Sequence, residues 1–389
     1  MSARDDVLEA QRVATYTFVV DIRHPDVASS FQDIADEVAS DESETTCDNH
    51  ILHVWRHLLT RIIVVLSCFS CTTLTLKSLY EEVRLHLDKL LVVGSTGLVG
   101  SKIVPIAQTF EFEASCTFNT RHSSFPRSSQ LDVTDRDATL RLVRAVDPDV
   151  IINSTALTNV DYCETHKAEA ERVNVGGARN LADAARDNNC RLVQISTDSV
   201  FDGTHGHYTE TDIPHPINHY SNTKLASEEI VSDLPNFAIA RPSVVYGWRS
   251  EVADHASAST KAMNFAMFVL EKLNKNETVS AITDQYSSPT LADNLADALL
   301  RLARARENGI FHTAGRSCLS RYEFAILLCR SFGHRSSLVQ PVSSNKFKQV
   351  AERPRNSCLQ VEKAEKTLGI RFLTAEEGIA EMRRQSQRG

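Results

Sequence analysis

Residues 88–100 read DKLLVVGSTGLVG, an apolar run that ends in three glycines spaced G-x-x-G-x-x-G. This order predicts a buried parallel strand, a tight turn at Gly94, and a helix over 98–110 whose N-terminus faces a phosphate group. Gly97 leaves room for a pyrophosphate to approach the backbone, and Gly100 allows the helix to pack closely on the sheet. Glycine-rich turns are common, so this stretch alone leaves an ordinary strand–turn–helix as the alternative.

Composition limits the classes of protein that this chain can represent. It has 389 residues, enough for about two domains with a sizeable core. A formal charge of −8 and a pI near 6.0, without a basic stripe, argue against nucleic acid as a partner. Nine scattered cysteines, an odd number, favour a reducing compartment over a disulfide framework. Cys68 and Cys71 form a lone C-x-x-C, for which a structural or accidental role is favoured over a metal site.

Residues 1–87 read as an N-terminal extension whose role the sequence does not indicate. Its patterns predict a strand over 15–22, a helix over 29–38 and a polar, acidic linker over 40–49. The uncharged run 62–76 is shorter than the roughly 17–25 residues that a membrane span needs. We therefore expect a cytoplasmic protein, and a membrane anchor is the less favoured interpretation.

From residue 88 onward, predicted strands alternate with predicted helices. The strands are placed at 114–118, 148–153, 191–195 and 237–240, and the helices at 135–146, 164–188 and 225–232. This alternation predicts an α/β fold, a Rossmann-type doubly wound parallel sheet.

Beyond Gly247 the alternation weakens, which predicts a smaller C-terminal lobe. Its predicted helices are 264–273, 321–332 and 374–384. The runs 279–282 and 309–313 are predicted as strands that return to the sheet.

The end of the second predicted strand is where a dinucleotide's adenosine ribose usually lies. An acidic residue there would bond the 2′-hydroxyl of NAD, whereas an arginine can pair with the 2′-phosphate of NADP. The sequence reads Asn119-Thr120-Arg121, without Asp or Glu. Arg121 therefore favours NADP, although a solvated arginine is the alternative interpretation.

Tyr220 lies four residues before Lys224, in the pattern Y-x-x-x-K. On a helix these two side chains share a face. A neighbouring ammonium would lower the phenol's pKa from about 10, which suits proton transfer near neutral pH. The pattern arises easily by chance, but it follows a predicted strand that ends in Ser196-Thr197-Asp198. The Thr197 hydroxyl could hold a carbonyl oxygen beside Tyr220, or it could simply cap a turn.

The order of glycine turn, strand-end hydroxyl and Y-x-x-x-K resembles the short-chain dehydrogenase/reductase superfamily. Longer stretches resemble one extended branch, the dTDP-4-dehydrorhamnose reductase family, and the resemblance covers about residue 90 to the C-terminus. They are PDVIINSTALTNVDYCE (148–164), ERVNVGGARNLADAA (171–185), VQISTDSVFDGTHGHYTETDIPHPINHYSNTKLASEE (193–229), DQYSSPT (284–290) and GIFHTAG (309–315). STDxVFDG together with DQYxSPT is far more specific than any single motif.

The resemblance implies an NADPH-dependent reductase of a nucleotide-linked 4-keto-6-deoxysugar in dTDP-rhamnose biosynthesis, with NADH as the alternative cofactor. Tyr220 would protonate the C4 ketone oxygen, and Thr197 would bond the same oxygen. Lys224 would bind the nicotinamide ribose, and Asn174 would act structurally or in a proton relay. The implied organisation is 1–87 as the extension, 88–246 as the NADP-binding domain with returning strands near 278–315, and 247–389 as mainly the substrate-binding lobe.

The resemblance also assigns binding residues by position. Besides Tyr220 and Lys224, the cofactor would contact Gly94, Thr96, Gly97, Leu98, Val99, Gly100, Arg121, Asp132, Val133, Asn153, Ser154 and Thr155. The sugar nucleotide would contact Thr158, Val160, Thr197, Asp198 and Ser199. No set of metal ligands transfers to this sequence, and the sequence leaves open whether the chain forms a homodimer.

Two departures from the family pattern lie where the sugar would bind. Ser199 replaces the usual tyrosine of STDYVFDG, and Val244 stands where bacterial members usually carry a tryptophan. Two other functions therefore remain open. One is a sugar-nucleotide epimerase or dehydratase of the same superfamily, and the other is a non-catalytic NADP-binding subunit like the regulatory subunit of methionine adenosyltransferase.

Overall fold

The computed structural model describes residues 87–248 and 264–387. The strand and helix predicted within residues 1–86, and the Cys68–Cys71 pair, lie outside the described residues.

A seven-stranded sheet organises the described chain. Its strands are β1 (Asp88–Val93), β2 (Phe112–Phe118), β3 (Ser128–Gln130), β4 (Val150–Asn153), β5 (Arg191–Ile195), β6 (Phe237–Arg241) and β11 (Gly309–His312). The strand order is β11-β6-β5-β4-β1-β2-β3, and every neighbouring pair is parallel. The predicted doubly wound α/β sheet is confirmed.

Helices follow the strands. They are α1 (Gly100–Ile106), α2 (Arg136–Val146), α3 (Val160–Thr165), α4 (Lys167–Ala170), α5 (Gly177–Asp187), α6 (His219–Ser232), α7 (Phe265–Asn274), α8 (Ala292–Arg304), α9 (Arg321–Ser331), α10 (Glu362–Leu368) and α11 (Ala375–Ser386). Among the described residues, no helix is long and apolar enough to cross a bilayer.

β1 shows why the sheet carries helices on both faces. Its residues from Leu90 to Val93 have no exposed surface. Leu90 and Val92 belong to the cluster that contains residues of α8, whereas Leu91 and Val93 belong to the cluster that contains residues of α5. Successive strand side chains point to opposite faces, so a continuous apolar run buries both.

A second core lies in the C-terminal part of the chain. Buried residues of α7, α9 and α11 form it, together with Val279 and Val339. Three two-stranded sheets accompany it, which pair β7 (Val245–Tyr246) with β10 (Thr290–Leu291), β9 (Tyr286–Ser287) with β12 (Leu319–Ser320), and β8 (Val279–Ile282) with β13 (Val339–Val342).

Two predictions of secondary structure are wrong. The strand 279–282 does not return to the central sheet, because it pairs in parallel with 339–342 in the smaller core. The helix predicted over 164–188 is interrupted. A π-helical turn, Glu171–Gly176, separates α4 from α5. Amphipathic spacing alone does not reveal a π-helical turn, because the chain stays helical through it.

The cysteine pattern favoured a reducing compartment over a disulfide framework, but the structure contains a disulfide among the described residues. Cys318 and Cys358 form a disulfide with a Cα–Cα distance of 5.5 Å. The pair closes a loop across 40 residues of sequence. Cys116, Cys163, Cys190 and Cys329 are free and buried.

Candidate functional site

In the turn after β1, the backbone packs closely against itself and against the residues that follow β4. Gly94 has a φ of +90°, which a residue with a Cβ rarely adopts. A Cβ on Gly100 would lie 2.3 Å from the carbonyl oxygen of Gly94 and 2.8 Å from the Ser154 hydroxyl oxygen. At Gly97 the nearest atom would be the Gly94 oxygen at 3.3 Å. The turn therefore demands glycine at its two ends, while Gly97 is the least crowded of the three.

The residues that follow Gly94 differ in accessibility. Thr96 is buried, and Leu98 and Val99 are half-buried. Ser95 donates through its hydroxyl to the Thr117 carbonyl at 2.9 Å, which ties the turn to the end of β2. The predicted phosphate turn therefore lies at the carboxyl edge of the sheet, where α/β folds bind ligands.

The predicted adenosine contacts lie beyond the ends of β2 and β3. Arg121 is half-buried after β2. Asp132 is exposed, and its carboxylate accepts a hydrogen bond from the Thr134 amide at 2.9 Å. Val133 is buried, and its side chain would lie 2.8 Å from a Cβ on Gly177. Asp132 and Val133 therefore shape a turn that α5 contacts closely.

The end of β4 carries a short hydrogen-bonded network. Asn153 is buried and donates to Gln194 on β5 at 2.9 Å. Its side-chain oxygen accepts from the Thr155 hydroxyl at 2.6 Å. Ser154 donates to the Val93 carbonyl at 2.6 Å. These bonds hold the end of β4 against the glycine turn, so the three predicted cofactor residues lie beside it.

β5 and α6 bring the predicted catalytic residues together. Thr197 follows β5, and both Tyr220 and Lys224 lie on α6, which begins at an Asn218 cap. All three side chains are buried. Lys224 donates through Nζ to the Ile195 carbonyl at 2.6 Å, so its ammonium lies at the end of β5.

The environment of Tyr220 acts against the predicted lowering of its pKa. Burial raises the pKa of the phenol above 10, the hydrogen bond with Thr197 offsets this in part, and the Asp198 charge raises it further. Burial lowers the pKa of Lys224 to about 8, against an opposing effect of the Glu228 charge. The prediction of a lowered phenol pKa is therefore wrong for the protein alone, because desolvation outweighs the hydrogen bond with Thr197.

Asn174 lies in the π-helical turn and is buried. Its side-chain oxygen accepts from the Leu157 amide at 2.7 Å, and its amide donates to the Thr223 hydroxyl at 2.9 Å. Thr223 lies between Tyr220 and Lys224 on α6. The Asn174 side chain in the π turn thus bonds both the loop after β4 and α6.

The predicted substrate residues do not share one environment. Thr158 is exposed and Val160 is half-buried against the cluster that contains Tyr220. Ser199 is half-buried, and its amide donates to Thr197 at 3.2 Å. Asp198 is buried, and burial raises its pKa even though three hydroxyl groups bond it. Both oxygens of the Asp198 carboxylate therefore accept hydrogen bonds from neighbouring hydroxyl groups.

The segment 351–358, which we call the strap, joins the two sides of the site, and no pattern in the sequence indicated it. The Ser357 hydroxyl donates to Asp198 at 2.5 Å. Arg353 donates to Asp161 at the start of α3 at 2.9 Å. Asn218, the cap of α6, donates to the Glu352 carbonyl at 2.9 Å. The strap ends at the Cys318–Cys358 disulfide.

A second feature missed by sequence reasoning is the backbone at Val244. Its φ is +40°, an uncommon conformation for a β-branched residue. The Val244 carbonyl accepts from the Thr290 amide at 3.2 Å, and the Thr290 hydroxyl donates to the Ser243 carbonyl at 2.6 Å. The DQYSSPT segment therefore holds this conformation at the position of the missing tryptophan.

Within 87–248 and 264–387, no group of three or more His, Cys, Asp or Glu side chains has the geometry of a metal site.

Two features define the class of protein to which this chain belongs. They are the parallel sheet with its glycine turn and the buried face that carries Thr197, Tyr220 and Lys224. This is an NAD(P)-dependent oxidoreductase of the Rossmann type.

The chain belongs to the RmlD substrate-binding domain family, whose profile matches residues 88–388. It is 34% identical over 295 residues to the probable low-salt glycan biosynthesis reductase Agl14 of Haloferax volcanii, covering 74% of this chain and 95% of that protein. It is 31% identical to methionine adenosyltransferase 2 subunit beta of Rattus norvegicus, covering 75% and 85%.

A solved structure gives the same family. dTDP-4-dehydrorhamnose reductase from Bacillus anthracis, in complex with NADP, aligns with a TM-score of 0.68 at 27% identity, covering 77% of this chain and 99% of that one. The expected resemblance to the dTDP-4-dehydrorhamnose reductase family is thereby confirmed, and the chain is an oxidoreductase of that type.

Proposed function

We propose that this protein reduces the C4 ketone of a nucleotide-linked 4-keto-6-deoxysugar with NADPH, in the route to dTDP-rhamnose or a related sugar. The observation that carries the proposal is the buried face of Thr197, Tyr220 and Lys224 at the carboxyl edge of the sheet. NADPH, when bound, supplies the hydride, and NADH is the alternative donor. The similarity to an NADP-bound dTDP-4-dehydrorhamnose reductase supports both the cofactor and the substrate class.

Tyr220 is the proposed proton donor. A reduction needs an acid that still carries its proton at neutral pH, and burial keeps the phenol of Tyr220 protonated by raising its pKa. Its proton passes to the developing C4 oxyanion, and the Thr197 hydroxyl donates a second hydrogen bond to the same oxygen. A positive charge on Lys224 stabilises the phenolate that remains.

The proposed cofactor residues surround the turn after β1. The pyrophosphate would lie against the backbone from Gly94 to Gly100, where an added Cβ would collide at both end glycines. Arg121 would meet a 2′-phosphate, and the end of β4 at Asn153 would lie beside the nicotinamide half. We retain Asp132, Val133, Ser154 and Thr155 as supporting residues of this site.

The proposed substrate residues are Thr158, Val160, Thr197, Asp198 and Ser199. Asp198 acts by holding the strap through Ser357. Ser199 and Val244 leave more space than the tyrosine and tryptophan that the family usually carries there. We therefore expect a pocket that accepts a bulkier sugar than the bacterial relatives do.

The organisation of the chain follows from this assignment. We propose residues 88–246 together with β11 as the cofactor domain, and 247–389 as mainly the substrate-binding lobe. A cytoplasmic location and a homodimer are proposed with it. Size-exclusion chromatography with light scattering tests the homodimer, and a monomeric mass would exclude it.

Replacement of Tyr220 by phenylalanine tests the function. We expect kcat for a dTDP-4-keto-6-deoxysugar, generated in the assay by its biosynthetic enzymes, to fall by about 10²–10⁴-fold. The Kd for NADPH should rise by no more than about tenfold, because the phenol contributes one hydrogen bond to binding. Tyr162→Phe is the matched control, since that phenol bonds only Glu169 at 2.8 Å among the described residues; it should retain full activity.

A second candidate function is favoured by one observation, the 31% identity to methionine adenosyltransferase 2 subunit beta. In that case the chain would bind NADPH and associate with an adenosyltransferase without turnover. NADPH binding with no oxidation by any 4-keto-6-deoxysugar, and stable association with a purified methionine adenosyltransferase catalytic subunit, would replace the reductase proposal.

A further inference from the structure

Below the catalytic face lies a buried carboxylate that the proposed reaction does not use. Glu228 is on α6, one helical turn after Lys224, and is 3% exposed. It accepts hydrogen bonds from Arg241 Nε at 2.9 Å and Arg241 Nη2 at 2.6 Å. The Ser196 hydroxyl donates to it as well. Both carboxylate oxygens are therefore occupied by donors.

The donors come from the two strands that end at the site. Ser196 lies between Ile195, whose carbonyl accepts from Lys224 Nζ, and the catalytic Thr197. Arg241 is the last residue of β6, and the next carbonyl, that of Pro242, accepts from the Asp198 amide at 2.9 Å. One side chain on α6 thus holds the ends of β5 and β6, on which the proton-transfer geometry depends.

Two cations flank Glu228. Lys224 precedes it by four residues on α6, and Arg241 pairs with it from β6 at 2.6 Å. Other titratable groups around this face are Tyr220 on the same helix and Asp198 after β5.

Two further titratable groups lie at its edge, and both stay neutral. Burial and the Arg241 charge lower the pKa of His312, on β11, to about 3. Burial raises the pKa of Cys163, on α3, to about 11. Because these two groups are neutral, they add no charge at this face. The acidic residue nearest to Lys224 along α6 is Glu228, four residues later.

Burying an ion pair is costly, and an apolar pair of similar volume is often as stable. The buried ion pair of Glu228 and Arg241, next to the proposed catalytic residues, therefore suggests a role other than packing. We propose that Glu228 is a positioning residue that joins α6 to the ends of β5 and β6 and keeps Lys224 in its ammonium form. This inference rests on the proposed reductase function, in which a cationic Lys224 assists Tyr220.

The test is the pH dependence of Glu228→Gln. The glutamine keeps an oxygen that accepts from Ser196 or Arg241 but removes the negative charge and leaves Arg241 unpaired. Wild-type kcat/KM should decline as pH rises through about 8, where Lys224 loses its proton. In the variant this alkaline limb should move to lower pH by about one unit or more, since a lost opposite charge shifts a neighbouring pKa by that amount.

Two further variants separate charge from packing. Ser196→Ala removes a hydrogen bond without changing any charge, so its alkaline limb should coincide with that of the wild type. The double variant Glu228→Gln/Arg241→Met removes both charges, and its limb should lie closer to the wild type than that of Glu228→Gln. An unshifted limb in folded Glu228→Gln would overturn the inference, as would equal shifts in Glu228→Gln and Ser196→Ala.

If Glu228→Gln does not fold, Glu228→Asp carries the test. Aspartate keeps the charge but is shorter by one methylene, so the limb should stay in place while kcat falls at least about tenfold through misplacement of the face. Unchanged kcat in that variant would exclude the positioning role.

NADPH affinity provides a readout that does not depend on turnover. Lys224 is also the proposed contact of the nicotinamide ribose, so the Kd for NADPH, measured from pH 6 to about 10 by fluorescence, should weaken across the same limb. A shift of this binding limb in Glu228→Gln without sugar turnover in the wild type would retain the inference and refute the reductase function. Turnover with no shift in either limb would retain the function and refute the inference.

Discussion

The glycine turn and the strap both border the proposed site, but they are built in opposite ways. The turn lies within 88–100, and its contacts are nearly all with its own backbone or with the adjacent ends of β2 and β4. The strap, 351–358, bonds residues near 161, 198, 218 and 286, far apart along the chain.

The difference decides what each region can control. At the turn, Gly94 and Gly100 leave no room for a side chain, so its shape is intrinsic to the local sequence. At the strap, Ser357 and Arg353 are ordinary polar residues that gain a role from the carboxylates they meet. We therefore expect damage at the turn to affect the cofactor, and damage at the strap to affect the sugar.

Breaking the Cys318–Cys358 disulfide has the largest expected effect on stability. In the chain-entropy account, a bond that closes a loop of this length contributes about 2–4 kcal/mol to the free energy of unfolding. Chemical denaturation with and without dithiothreitol measures the loss. The KM for the sugar should rise in the reduced protein, while the Kd for NADPH stays unchanged.

Cys318→Ala is the matched control for reduction. The variant should show the lower stability without reductant, and dithiothreitol should then have no further effect. If wild type and variant have the same denaturation midpoint with and without reductant, the strap does not depend on this bond.

Gly100→Ala should have the opposite pattern to disulfide reduction, because it should affect the Kd for NADPH rather than the KM for the sugar. The new Cβ would lie 2.3 Å from the Gly94 oxygen, so the turn must open. Overpacking of this kind costs about 1–3 kcal/mol, and we expect at least a tenfold weaker Kd for NADPH by isothermal titration.

Gly176→Ala provides the control for helical propensity, because its Cβ would meet an oxygen at the ordinary distance of 3.8 Å. It should bind NADPH like the wild type. Equal losses in the two variants would show that the Gly100 contact is not what shapes the cofactor site.

Arg121→Ala has the smallest expected effect and sharpens the cofactor assignment. Losing a charge-assisted contact to a 2′-phosphate should weaken NADPH by about tenfold and leave the Kd for NADH within about twofold. Arg127→Ala is the control, since that exposed arginine pairs with Glu113 at 2.5 Å. Equal weakening of NADPH and NADH would remove Arg121 from the 2′-phosphate site.

Much of the architecture follows from local sequence. The apolar run 90–93 and the glycines after it specify a strand and turn, because a two-faced buried strand and a positive φ at Gly94 both have short-range signatures. Y-x-x-x-K likewise specifies that Tyr220 and Lys224 share a helix face. The order of these motifs was enough to predict the sheet and the family.

Contacts between segments that are distant in sequence decided the remaining features of the fold and the site. The run 279–282 has strand propensity, but whether it joins the central sheet or pairs with 339–342 depends on where the chain between them packs. The disulfide partner of Cys318 and the strap contact between Ser357 and Asp198 depend on the same folding of distant segments.

The charge state of the site illustrates the same division. The sequence predicts Lys224 beside Tyr220 and so a lowered phenol pKa, whereas burial in the folded protein raises the pKa of that phenol and the Asp198 charge raises it further. Desolvation is a property of everything that surrounds a group, including Thr197 and Asp198 from another element. Residue types and local periodicity therefore determined the fold class and the candidate residues, while tertiary packing alone decided their burial, their partners and their protonation.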